Sequence, residues 1–368
     1  GRAAEGVAWF DAVLTNPDID LAEVPADVMA RALADSVQLF AAVGRDGDID
    51  RVQRAVAIAR ESGDPGLLAR ALFACGSAYV DDSEQARAYF GEALELARTA
   101  DDRWMVCGIL AWTAYATFLE GRLLEAIQLA REGQELADSI GDRDTSRHCR
   151  WSRATATCHA ADFGCLSELE EILHDARAAD DVVRWANTLA CQSHALVYRG
   201  EWQAARAAAD ALDRVAASVG PAHGILVCAY LACAALAAGD IASAVAAGGE
   251  GRRLLADTPV IAAVRTMNPA AETALAQGDL VTARRFAEEA VAGAPVCLRP
   301  RELNTRARVA LAEGDATRAL SDVLEASALA AENGLLLELP NTLELLAQVK
   351  LAAAVHHDAA RLLGAADA

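Results

Sequence analysis

The chain has 368 residues, 54% of them hydrophobic, and a formal net charge of −20. That length is beyond the usual size of one compact core. The charge argues against direct binding of DNA, RNA or an anionic membrane by this segment, since those partners need a basic face. No run reaches the roughly 18 uninterrupted apolar residues of a membrane span. Residues 1 to 20 carry Asp and Glu and lack a basic start ahead of an apolar stretch, so no secretory leader is expected there, and the expected location is cytoplasmic. Nine cysteines are scattered from Cys75 to Cys297, odd in number and without a C-x-x-C. They read as reduced thiols packed as small hydrophobes.

Residues 1–14 form a leading helix in this reading, and two interleaved series of turns follow. The first series reads Gly47-Asp48, Asp81-Asp82, Gly121-Arg122, Ala161-Asp162, Gly200-Glu201, Gly239-Asp240, Gly278-Asp279, Gly314-Asp315 and His357-Asp358. From residue 81 to residue 314 its intervals are 40, 40, 39, 39, 39 and 36. The second reads Gly63-Asp64, Asp101-Asp102, Gly141-Asp142, Asp180-Asp181, Gly220-Pro221, Thr258-Pro259, Ala294-Pro295 and Asn333-Gly334. Two turn series at one period specify stacked helical hairpins, in which each repeat touches only its neighbours. The expected architecture is an all-α, right-handed superhelical solenoid of antiparallel helix pairs. Its repeats fall at about 26–64, 65–102, 103–142, 143–181, 182–221, 222–259, 260–295, 296–334 and 335–366. Around Gly121 the pair runs Trp104 to Glu120, then Leu123 to Ser139, with Asp and Gly at the turns serving as N-caps and left-handed C-caps.

Two positions stay small. Ala114, Ala154, Ser193, Ala232, Ala271 and Ala307 stand seven residues before the turn. Ala126, Ala205, Ala244, Ala283 and Ala319 stand five after it. Small residues there let paired helices approach closely. The residue two after the turn is bulky (Leu123, Trp202, Ile241, Leu280) and is expected to plug the gap between helices.

A small residue, a Gly, a bulky residue and an Ala in that order resemble the tetratricopeptide pattern, with each helix about a turn longer. Three phrases resemble the helical region of large bacterial LuxR-type transcriptional regulators of the MalT-like class. They are Glu5-Gly6 with Trp9-Phe10, the stretch from Ala57 to Asp64, and the closing stretch from Ala359 to Ala368. The resemblance implies a sensing or protein-interaction region. In that family a nucleotide-binding module precedes it and a helix-turn-helix module follows. This chain carries no Gly-x-x-x-x-Gly-Lys-Ser/Thr, and its sole lysine is Lys350. The resemblance therefore implies that it is a fragment.

Helical periodicity gathers one set of residues on a single face of each first helix, and the resemblance to tetratricopeptide proteins implies that this face lines the concave groove. That face offers Tyr115, then Trp151, Thr155 and His159, then Asn187, Ala190, His194 and Tyr198, then Leu226, Ala229 and Cys233. It continues with Arg265, Asn268 and Glu272, and ends with Arg301, Asn304 and Arg308. The groove thus runs from an aromatic and histidine-rich middle to an Arg/Asn-rich end. Tyr115, Trp151, His159, His194 and Tyr198 are the candidate ligand cage. Arg265, Asn268, Arg301, Asn304 and Arg308 resemble a carboxylate clamp for an acidic guest. In the competing reading these arginines pair internally with Glu272 and Glu302.

No metal is expected. His148 and His159 share a face but lie about 16 Å apart along a helix, and Cys149, Cys158 and Cys165 lack zinc spacing. Gly248-Gly249-Glu250-Gly251 follows no strand and reads as close packing rather than a phosphate loop. No nucleophile–base constellation stands out, so neither an enzyme nor a cofactor is expected. The leading expectation is a ligand-sensing or interaction region of a multidomain regulator. Its partner would be a protein, peptide or small molecule in the groove, and assembly into a homo-oligomer stays open. The alternative is a free-standing scaffold that holds a peptide or helix.

Overall fold

The computed structural model describes residues 2–14, 23–42, 48–80, 82–216, 221–256, 262–353 and 355–366. The turn residues Gly47, Asp81, Gly220, Thr258 and Pro259 lie outside them. The described residues contain helices and no strand. The helices are α1 (Arg2–Leu14), α2 (Ala26–Ala42), α3 (Ile49–Ser62), α4 (Pro65–Ala78), α5 (Ser83–Thr99), α6 (Arg103–Leu119), α7 (Leu123–Ile140), α8 (Arg143–His159), α9 (Cys165–Ala178) and α10 (Val182–Tyr198). They continue as α11 (Trp202–Ala216), α12 (Pro221–Ala237), α13 (Ile241–Ala256), α14 (Ala262–Ala276), α15 (Leu280–Gly293), α16 (Arg299–Ala312), α17 (Ala316–Asn333), a 3-10 turn at Leu336–Glu338, α18 (Leu339–Ala352) and α19 (His356–Ala366). Each even-numbered helix from α2 to α18 packs on the helix that follows it, and each from α2 to α16 also packs on the next even-numbered one. The result is a tetratricopeptide-like solenoid with the even helices inside.

The turns work through capping. Most of the aspartates that end a turn accept a backbone hydrogen bond three residues on, as Asp102 does from Met105 (2.9 Å), Asp279 from Thr282 (3.1 Å) and Asp315 from Arg318 (2.9 Å). Each such cap satisfies one of the helix's orphan N–H groups. The residue before it takes the left-handed conformation even where it is not glycine, with φ of 54° at Asp101, 62° at Ala161 and 53° at Asp180. Stacking, not side-chain identity, therefore dictates that geometry.

All the small positions named from the sequence are enclosed. Ala114, Ala154, Ala232, Ala271 and Ala307 are fully buried, as are Ala205, Ala244, Ala283 and Ala319. A larger side chain would push the helices of a pair apart. The plug expectation holds at Leu123, which is buried, and fails at Trp202, which is half exposed. The indole is too large to enter the narrow seam that Ala205 lines, so it stays on the rim.

The solenoid also returns to itself, which the repeat pattern does not foretell. Pro295 disfavours helical backbone at the preceding residue, and Ala294 leaves α15 extended at φ −71° and ψ 129°. Residues 296–298 then cross to the α6–α7 turn, where the Cys297 N–H donates to the Leu119 carbonyl at 3.2 Å. Cys297 and Leu335 pack in one buried cluster with Phe118, Leu119, Leu123, Ala126 and Ala156. Leu337 joins a second cluster with Trp151, Ala154 and Cys158. The ring is therefore closed by apolar burial between segments about 180 to 215 residues apart in sequence.

Candidate functional site

The closure roofs over the middle of the groove and leaves a cavity of about 70 Å³. Helix α6 contributes Tyr115 and Phe118, α8 contributes Trp151, Thr155 and His159, and α10 contributes Asn187, Ala190, Cys191 and His194. Helix α12 adds Leu226, Ala229, Tyr230 and Cys233, and the returning segment adds Cys297, Leu298 and Arg301. By the usual allowance of about 10–15 Å³ per water centre, there is room for several waters or one compact guest. The rings pack in a chain: Tyr115 on Trp151 with centroids 5.3 Å apart, Phe118 edge-on to His159 at 4.9 Å, His159 on His194 at 5.6 Å, and His194 on Tyr198 at 4.9 Å. A wider cleft between α7, α8 and α9 is open and laced with ion pairs such as Arg150–Asp175 at 2.6 Å, so it offers no comparable enclosure.

Burial sets the protonation states around this cavity. His148, beside Trp151 and Trp112, is held well below the usual imidazole range by burial and by the neighbouring Arg184 charge. Burial pushes the Cys233 thiol up to about 11, so it is not a nucleophile at neutral pH. Burial and then the Glu338 charge raise the Tyr198 hydroxyl, which stays protonated and donates to Glu338.

Four of the five cage candidates, Tyr115, Trp151, His159 and His194, line this one cavity. Tyr198 stands behind His194 and ties α10 to the 3-10 turn through Glu338, 140 residues away in sequence. The Arg/Asn end is built differently from the clamp expected of it. Glu302 is fully buried and accepts from Arg301 Nη2 at 2.8 Å. Arg308 pairs with Glu272, which also accepts from the Thr305 hydroxyl at 2.6 Å. Asn268 Nδ2 donates to Thr305 at 2.8 Å, and Asn304 Nδ2 to Thr342 at 2.9 Å. These amides join neighbouring helices instead of facing the groove, because a buried amide must be bonded wherever the packing places it. The side chain of Arg265 lies outside the described residues. The internal pairing with Glu272 and Glu302 is thus the one formed, with the correction that Arg301 and Glu302 are neighbours in one helix.

Periodicity missed Phe118, Tyr230 and Cys191, which sit beside the chosen face, and missed Cys297, Leu298 and Glu338 altogether. One signal was available. Val296-Cys297-Leu298 and Leu335-Leu336-Leu337 are apolar runs where turns are normally polar. Among the described residues no group of three or more His, Cys, Asp or Glu side chains is placed to hold a metal. Among the described residues no helix is long and apolar enough to cross a membrane.

The fold and cavity define a helical-repeat protein with an enclosed groove, and comparison with known proteins agrees on the fold. A Rap protein solved with Competence and Sporulation Factor superposes with a TM-score of 0.65 at 12% identity, covering 93% of this chain and 98% of that one. NprR solved with its cognate peptide NprX gives 0.56 at 12% identity, covering 94% and 97%. In sequence, the chain is 38% identical over 376 residues to proteins of Mycobacterium bovis and Mycobacterium tuberculosis that are provisionally named HTH-type transcriptional regulators. The alignment takes in 100% of this chain and 42% of each relative, so the chain spans less than half the length of the relatives it matches. No protein-family model matches.

Proposed function

We propose that this chain is the sensing and interaction region of a larger transcriptional regulator of the LuxR-type, MalT-like class, non-catalytic in itself. Its guest would sit among Tyr115, Trp151, His159 and His194. One observation carries this reading: the cavity and the ring closure share residues. Phe118 belongs to the closing cluster and to the cavity wall, and so does Cys297. A guest touching both sides favours the closed ring over an open one by its differential affinity for the two. At a guest concentration of 100 times Kd that linkage is worth about 2.7 kcal/mol for a guest that binds only the closed ring. The name of the mycobacterial relatives supports the regulatory setting.

Hydrogen exchange tests this. The gently purified chain is compared with the same chain unfolded, dialysed and refolded, with native mass spectrometry of both. Slower exchange over 296–301 and 335–338 in the first sample, with a bound small mass, is the expected outcome. Identical exchange and no bound mass would sink it. A second reading places a partner peptide along the groove, favoured by the cognate peptide held by the NprR neighbour. That reading predicts a bound mass of peptide size and protection running along the groove from α10 to α16.

A further inference from the structure

Arg184 lies on the groove face of α10, one turn before Asn187. Its guanidinium carbon sits 4.9 Å from the centre of the Trp151 ring, whose body lines the cavity. The guanidinium makes no ion pair and no side-chain hydrogen bond among the described residues, and its Nε is enclosed without a partner. The two carboxylates nearest in sequence are already engaged by another arginine. Arg147 donates through Nη2 to Asp144 at 2.9 Å and through Nε to Asp181 at 3.1 Å. Asp181 also caps α10, accepting from the Arg184 backbone N–H at 3.0 Å. Trp151 adds a second orphan: the residue is 9% exposed, and its indole N–H is buried with no acceptor. Asp181 and Asp144 act on the Arg184 charge through space without bonding it. A half-buried guanidinium with an enclosed, unbonded Nε beside a buried indole donor leaves two donors without acceptors, which is costly in a folded protein and is retained where an acceptor arrives from outside.

We propose that the guest is a compact organic carboxylate, whose aromatic or unsaturated body occupies the ring-lined cavity and whose anionic head is received by Arg184 beside Trp151. This rests on the cavity reading above and deepens it. Arg301 at the cavity's other side is less suited to receive the charge, because Glu302 already neutralises it at 2.8 Å. Arg184 offers planar donors to a carboxylate and a cation face to the indole at once.

The test uses three matched probes: 3-phenylpropanoate, 3-phenylpropanamide and 3-phenylpropylammonium, titrated into the folded chain by ligand-observed NMR. The carboxylate is expected to bind at least about tenfold tighter than the amide, as for a charge-assisted bond, with the ammonium weakest. In Arg184→Gln the carboxylate should lose that advantage while the amide binds as before. The melting temperature of Arg184→Gln should stay level, because the change breaks no ion pair and no side-chain hydrogen bond of Arg184. A preference for carboxylate that survives in Arg184→Gln, a clear fall in its melting temperature, or equal binding of all three probes to the native chain would overturn the assignment of Arg184 and leave the cavity reading intact. Binding of none of the three to the native chain would overturn both. As a control, Arg301→Gln paired with Glu302→Gln removes both charges of that pair and should keep the preference. Loss of the preference there would move the head group to Arg301 and also overturn the proposal.

Discussion

Gly121 is the place where the closed ring is most exposed to a single substitution. Its φ is +80°, and a Cβ there would meet Val296 Cγ1 at 2.8 Å and Asn333 at 3.5 Å. Gly314 is the matched control: its φ is +81°, and no atom lies within 4 Å of its would-be Cβ. Gly→Ala at either site pays the left-handed backbone penalty, about 1–2 kcal/mol. At Gly121 alone the new methyl also collides with the returning segment, adding about 1–3 kcal/mol of overpacking. The chain can avoid that second penalty by opening the ring. Gly121→Ala should therefore lose more stability in urea than Gly314→Ala, or match it while its radius of gyration by small-angle scattering grows. Equal stability together with an unchanged radius would refute the closure between the α6–α7 turn and residues 296–298. The same experiment bears on function, because the cavity exists only while that closure holds.

The other predictions concern packing and protonation. Ala232→Leu, at a fully buried seam between α12 and its partner helix, should destabilise by roughly 1–3 kcal/mol in a denaturant titration; an unchanged midpoint would mean that the seam is not where the repeat places it. His148 is held below its ordinary value of 6.5 in the folded chain. The unfolded chain therefore takes up that proton first, so this residue's stability is fully present above pH 6.5 and is lost as pH falls below it. The loss approaches about 1.4 kcal/mol per pH unit. Glu302, raised by burial, acts with the opposite sign at lower pH, so the informative quantity is the difference between the native chain and His148→Phe, measured at pH 7.5 and about two units lower. A difference that does not change with pH would show that His148 titrates normally.

Much of the fold was legible because it is local. A helical hairpin is specified by its caps and its small positions, and both are written within one repeat: Asp102 and Asp315 cap as their place after the turn requires, and Ala114 and Ala126 are buried as their spacing requires. The groove face was legible for the same reason, since Tyr115, Trp151, His159 and His194 follow from helical periodicity and the tetratricopeptide resemblance. Partnership across repeats was not. Whether Arg308 faces a ligand or Glu272 depends on side-chain reach between helices, and whether Arg184 is bonded to a carboxylate depends on Arg147 having taken both aspartates.

Sequence by itself determined the repeat unit, its turns, the seam of small residues and which face looks inward, because each rests on interactions spanning at most one hairpin. Only the tertiary structure decided that the solenoid meets itself. That outcome depends on small rotations accumulated over four or five successive helix pairs, which bring Leu119 against Cys297 and Tyr198 against Glu338. No single repeat encodes such a sum. It turns an open groove into an enclosed cavity, beside which the Trp151 indole N–H and the Arg184 Nε lie enclosed without acceptors.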